Sequence, residues 1–237
     1  MNDNRVLVDT NLKKIGRMIS DGDYSDCVES MKILEQTIEP ARKLYYHTGL
    51  NSDREALFMC YSYYAYANEI VYNEKDIEKY LNTSLVYYNN AVGLREEIKK
   101  KTIQETRDMY ELYDKIVELS KSLKTITIDE DLIKMAKPAY KFYKKTKNVE
   151  DLIHYLGILE YSALIYQQSN QKKKAIKVYL KCIKIAKDIL KITKNENDKR
   201  VLIMYYQTTL ALMTYSQNQK LKAKLEEELA LYRRKKI

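Results

Sequence analysis

Apolar residues recur along this chain at helical spacing, and residues 151–187 show the pattern best. Leu152, Leu156, Leu159, Ala163 and Tyr166 follow one another at intervals of four and three, which sets them on one helix face. Ser169-Asn170 interrupts the pattern. Beyond it Ala175, Ile176, Tyr179, Cys182, Ile183, Ala186 and Ile189 form a second stripe of the same period, with lysine at most of the intervening positions. Two amphipathic helices joined by a short polar turn bury their stripes against each other, so this stretch predicts a helical hairpin.

The same arrangement returns elsewhere. Ala211 and Thr214 precede a Ser216-Gln217-Asn218 turn that Ala223, Glu227 and Ala230 follow. Near the N-terminus Ile15 and Met18 precede Asp21-Gly22-Asp23-Tyr24, with Cys27, Met31 and Leu34 after it, and Ala65 and Asn68 precede Asn73-Glu74, with Ile77, Leu81 and Ser84 beyond. The centres Ile15, Ala65, Ala163 and Ala211 lie roughly 48 to 50 residues apart, or twice that across the middle, which is the mark of an internal repeat. A degenerate copy is expected near Asp114, where Tyr110, Tyr113 and Val117 share a face, followed by a longer loop around 125–129. The expected hairpins span about 4–47, 53–100, 102–147, 149–194 and 197–236, within one domain covering 1–237. Pro40 is expected to kink its helix or end it early; Pro138 either kinks its helix or marks a fresh start.

Leu159 as the large residue, Ala163 as the small one and Tyr166 in the first helix, then Ala175, Tyr179 and Cys182 in the second, give the hairpin a form that resembles a tetratricopeptide repeat. The family's tryptophan and terminal proline are absent here, and the period exceeds its usual length of about 34 residues. The resemblance implies an all-α fold, a right-handed superhelix (α-solenoid) of about five antiparallel hairpins, whose first helices line a concave face. On that face the carried-over positions include Tyr66, Tyr205 and Tyr215, expected to pack on a ligand, and Glu69, Glu111, Glu118 and Glu160, expected to read positive charge. The face lacks the Lys/Asn/Arg set with which some family members hold a peptide's C-terminal carboxylate. A basic or apolar peptide fits it better.

Composition narrows the alternatives. With 237 residues, 45% of them hydrophobic, and only 5 Gly and 2 Pro, the chain can build a continuous core and has few helix breakers. Its apolar runs fall short of the roughly 18 to 20 residues of a membrane span, and the N-terminus lacks a basic segment followed by an apolar one, so a cytosolic, cytoplasmic protein is expected. Cys27, Cys60 and Cys182 sit singly in apolar stripes and are expected to be reduced core thiols. Asp151 and His154 stand one helical turn apart, as in carboxylate–histidine metal motifs, but His47 is the only other histidine to complete such a site. The five glycines are isolated and neither Ser nor Cys lies in a nucleophile motif, so neither catalysis nor a cofactor is expected.

Two further features bear on partners. Tyrosine occurs 23 times against 2 Phe and no Trp, either replacing those residues in packing with the hydroxyl at the layer edge, or lining a ligand groove. Charge is divided unevenly, with a formal balance of −5 over residues 1–120 and +14 over 121–237. Lys173, Lys177, Lys181, Lys184, Lys187 and Lys191 form a basic stripe. The leading expectation is a non-catalytic scaffold or adaptor with a protein or peptide partner in its concave groove. The rival is non-specific binding of nucleic acid, or of an acidic partner, through the basic C-terminal half, and a head-to-tail homo-oligomer is a third.

Overall fold

The structure, a computed structural model, describes residues 2–20, 22–122, 133–213 and 219–234. Among the described residues there is no strand, and ten helices follow one another: α1 (Asn2–Met18), α2 (Tyr24–Thr48), α3 (Asn51–Lys75), α4 (Glu78–Glu96), α5 (Ile103–Ser122), α6 (Ala136–Thr146), α7 (Val149–Gln168), α8 (Lys172–Thr193), α9 (Glu196–Leu212) and α10 (Gln219–Arg234). The chain forms two compact units, Met1–Leu123 and Lys124–Ile237. The two helices of the expected third hairpin, α5 and α6, belong to different units. The expected loop around 125–129, the turn at 216–218 and the basic tail beyond Arg234 lie outside the described residues.

Within each unit, helices pack in chain order, as a stack of helical repeats requires. In the first, α1 packs on α2, α2 on α3, α3 on α4 and α4 on α5, and α1 also reaches α3. Small residues let these backbones approach: Ala65 is fully buried, and the buried Ser84 hydroxyl donates to its carbonyl at 2.9 Å, joining α4 to α3. In the second unit α6 packs on α7, α7 on α8, α8 on α9 and α9 on α10. Leu159, Ala163, Ala175, Tyr179 and Cys182, which carry the repeat resemblance, are all buried in one cluster, and Tyr166 packs at its edge. The chain is thus an all-helical repeat protein, each unit a segment of α-solenoid.

One turn recurs between hairpins, and the periodicity of apolar residues does not reveal it. Thr48, Thr146 and Thr193 each end a helix; the next residue, Gly49, Lys147 or Lys194, is left-handed, with φ of 63°, 57° and 50°. The one after caps the following helix, and five residues beyond the threonine comes an aspartate. The threonine hydroxyl donates to that carboxylate each time, Thr48 to Asp53 at 2.5 Å, Thr193 to Asp198 at 2.5 Å, and Thr146 to Asp151. Asn148 and Asn195 add side-chain caps to the backbone N–H of Glu150 and Asn197. The buried Asp151 is therefore part of this turn. Between α4 and α5 a different device appears, a capping box in which Thr102 and Glu105 bond each other's backbone N–H.

Helix α2 runs through Pro40 to Thr48, so that proline does not end it. Helix α6 begins at Ala136, which puts Pro138 in its first turn, where no intrahelical N–H is lost. The expected longer helix starts afresh there.

Many of the described tyrosines serve packing. Tyr64, Tyr88, Tyr113, Tyr205 and Tyr206 are buried, and their hydroxyls reach carboxylates at the layer edges: Tyr88 donates to Glu69 at 2.7 Å, Tyr64 to Glu35 at 3.0 Å, Tyr113 to Glu96 at 2.6 Å, Tyr205 to Glu160 at 3.0 Å and Tyr206 to Glu228 at 2.5 Å. The three cysteines are free and buried.

Candidate functional site

In the first unit, Tyr66, Glu69 and Glu118 come together, three of the four residues expected there on the concave face. α3 supplies Tyr66 and Glu69 one turn apart, and α5 supplies Glu111 and Glu118 on the face that also carries Lys115. Lys115 is the centre of the group: its Nζ donates to Glu69 Oε1 at 2.8 Å, Glu118 lies close enough to act on it through its charge, and Tyr66 lies nearby. Burial disfavours the charged ammonium, yet the Glu69 hydrogen bond and the surrounding carboxylates hold the Lys115 pKa above its ordinary value. Glu69 itself is 6% exposed and also accepts from Tyr88, whose own pKa is raised first by burial and then by the Glu69 charge. The carboxylate expected to read a ligand's charge is thus already paired within the fold. Asp108, another position on this face, is bound by the buried Arg95, whose guanidinium stacks 3.6 Å above the Phe58 ring.

Glu111 and Glu118 remain. Both are exposed, one helical turn and three residues from Lys115 respectively, and neither takes a hydrogen bond or ion pair among the described residues. Tyr66 is half-buried near Glu118 and Lys115, its hydroxyl facing Gly22. That glycine has φ of 66°, and a Cβ on it would come within 3.0 Å of the hydroxyl. The surface offers two exposed carboxylates without a hydrogen-bonded partner among the described residues and an aromatic edge, which suits a cationic side chain.

In the second unit the expected groove residues are drawn inward. Tyr205 is 2% exposed and packs in the core, with burial first and the Glu160 charge next raising its pKa well above the ordinary phenol value. Its hydroxyl bonds the half-buried Glu160. Both therefore serve the fold, and Tyr215 lies outside the described residues.

The basic stripe keeps most of its members. Lys173, Lys177, Lys181, Lys184 and Lys191 project from α8 and are exposed. Lys187 leaves the row: half-buried, it donates to Glu228 at 2.7 Å with its Nζ 5.5 Å from the Tyr206 ring centroid. It lines an open cleft of about 590 Å³ together with Glu228, Leu231, Tyr232 and Arg234. Burial works against ionisation of Glu228, but hydrogen bonds from Lys187 and Tyr206 hold its pKa below the usual value.

The thiols are poor nucleophiles. Burial pushes the Cys60 thiol up to about 12 and raises Cys182 and Cys27 as well, so none is a thiolate at neutral pH. Among the described residues no group of three or more His, Cys, Asp or Glu stands close enough to hold a metal ion, and no helix is long and apolar enough to cross a membrane.

No protein-family model matches the chain, and no curated protein is significantly similar to it. Among solved structures, it is similar to the de novo designed helical repeat protein DHR64, at 14% identity and a TM-score of 0.30, covering 99% of each chain. A DHF58 filament matches at 14% identity and 0.29, over 96% of this chain and 97% of that one. BtubC (BKLC) from P. vanneervenii matches at 14% and 0.36, over 87% of this chain and 82% of the other. At these scores the likeness transfers no function.

Proposed function

We propose that this chain is a non-catalytic scaffold whose first unit takes a basic or apolar peptide, or the matching segment of a protein partner, on the face shared by α3 and α5. In this reading the face is the groove of a tetratricopeptide-like repeat. The observation that carries it is the pair of exposed carboxylates Glu111 and Glu118, one on either side of Lys115 along α5, with the half-buried Tyr66 near Glu118 and Lys115. A cationic side chain placed there meets negative charge without having to break the Glu69–Lys115 pair, and its alkyl stem can lie along the tyrosine. Glu69, bonded to Tyr88 and Lys115, holds the helices that present this surface and contributes to binding only through it.

Panning a random peptide display collection against the protein tests the reading. Enriched sequences should be basic with interspersed apolar residues, and Glu111→Gln/Glu118→Gln should weaken the best of them several-fold and flatten their salt dependence. Enrichment of acidic sequences, or binding indifferent to the double substitution, would remove this face from consideration.

A further inference from the structure

We propose that the lysine row of α8 docks on the phosphate backbone of a duplex nucleic acid without reading its sequence. This surface lies in the second unit and shares no residue with the peptide face, so either can fail alone. Lys173, Lys177, Lys181 and Lys184 are exposed at intervals of four, four and three, and none has a carboxylate partner among the described residues. Lys191 extends the row beyond Asp188, from which its Nζ stands 3.7 Å away. From Lys173 to Lys191 the helix rises about 27 Å, the length of about eight base pairs of duplex.

Helix stability does not explain these lysines. The first turn of α8 holds Lys172, Lys173 and Lys174 and no acid, where the helix dipole favours negative charge, and Gln171 provides no side-chain cap. Lys173, Lys177 and Lys181 repeat a like charge at a four-residue spacing, which weakens a helix further. Lys174 rests over the Tyr166 ring, but Lys173, Lys177 and Lys181 contradict local preference without a carboxylate partner among the described residues, which points to a task outside the fold.

The chemistry of the row selects its partner. Every exposed position on α8 except Ile192 is lysine. Protein interfaces are depleted in lysine and rely on aromatic, arginine and apolar anchors, which this surface lacks, so an acidic protein is the poorer fit. The row exposes no aromatic ring for stacking bases, which disfavours single strands. It carries no arginine or amide for base edges, which disfavours sequence reading. Flexible ammonium groups in a line suit a polyphosphate.

The test is fluorescence anisotropy of a labelled duplex of about 25 base pairs, titrated with the full chain over roughly 50 to 200 mM salt. Four or five neutralised phosphates give a log–log salt slope of about −4. Lys173→Gln/Lys177→Gln/Lys181→Gln/Lys184→Gln should bring that slope to about −1 and weaken binding at low salt. A charge-matched variant, Lys137→Gln/Lys141→Gln/Lys145→Gln/Lys220→Gln, should bind nearly as the parent does, and circular dichroism should show both variants helical. Glu111→Gln/Glu118→Gln should leave duplex binding in place. The proposal is overturned by equal losses in the two lysine variants, by tighter binding to single strands or to polyglutamate, by strong preference among duplex sequences, or by no duplex binding at the lowest salt.

Discussion

Replacing Tyr205 by phenylalanine removes one oxygen, yet that oxygen donates to the half-buried Glu160 from a ring that is 2% exposed. A carboxylate that loses a donor in a partly dry site is costly, so Tyr205→Phe should lower stability by about 1 to 3 kcal/mol. Tyr45, whose hydroxyl meets Glu97 at the exposed surface, is the control: Tyr45→Phe should shift the urea midpoint little. Left-handed lysines offer the opposite sign. Lys147 and Lys194 hold φ of 57° and 50° where the equivalent turn uses Gly49. Lys194→Gly should therefore gain up to about 1 kcal/mol, once the extra freedom of glycine in the unfolded chain is set against the relieved strain. Thermal melts of the two variants check both signs.

At the level of elements, the recurring turn is the strongest repeat signal in the chain. Thr146→Val leaves Asp151, 1% exposed, without that donor, whereas Asp198 is only half-buried. Loss of about 1 to 3 kcal/mol is expected at Thr146, and less from Thr193→Val, by urea unfolding monitored at the helix signal. The helices and their stripes were legible because burial of one face imposes a 3.6-residue period that survives substitution. Helix ends came within a few residues, and Pro138 could be placed only by seeing that Met135 precedes a fresh first turn. The turn itself is visible as Thr48, Thr146 and Thr193, each with aspartate five residues on, but it has no hydrophobic period, and its fourth copy is replaced by the Thr102–Glu105 box. Candidate site residues fared differently on the two sides. Apart from Lys187, the lysines on α8 stayed exposed, since a stripe of long cations opposite a buried face has nowhere else to go. Glu69, Glu160 and Tyr205 were drawn into internal bonds, and partners 19 to 46 residues away in sequence leave no local trace of that.

Across the whole molecule, the abundance of buried tyrosine makes base a harsher challenge than the basic composition suggests. Tyr64 and Tyr88 in the first unit and Tyr179, Tyr205 and Tyr206 in the second all have hydroxyls whose pKa is raised, in each case chiefly by burial. Neighbouring carboxylates add to the shift, Glu69 at Tyr88 and Glu160 at Tyr205. The fold keeps these phenols protonated while an unfolded chain releases their protons near pH 10, so their contribution to stability is complete below about that pH. It is lost as pH rises toward the folded values, at about 1.4 kcal/mol per pH unit for each fully buried hydroxyl. Lys115, also held above its ordinary pKa in the fold, loses its contribution in the same direction. Urea unfolding at a series of pH values from about 9 to 11 should therefore show steeply falling stability, with the parent steeper than Tyr88→Phe/Tyr205→Phe because that variant has two fewer protons to lose on unfolding. Parallel curves for parent and variant would mean that these hydroxyls ionise as readily in the folded protein as in the unfolded chain, which is incompatible with their burial against Glu69 and Glu160.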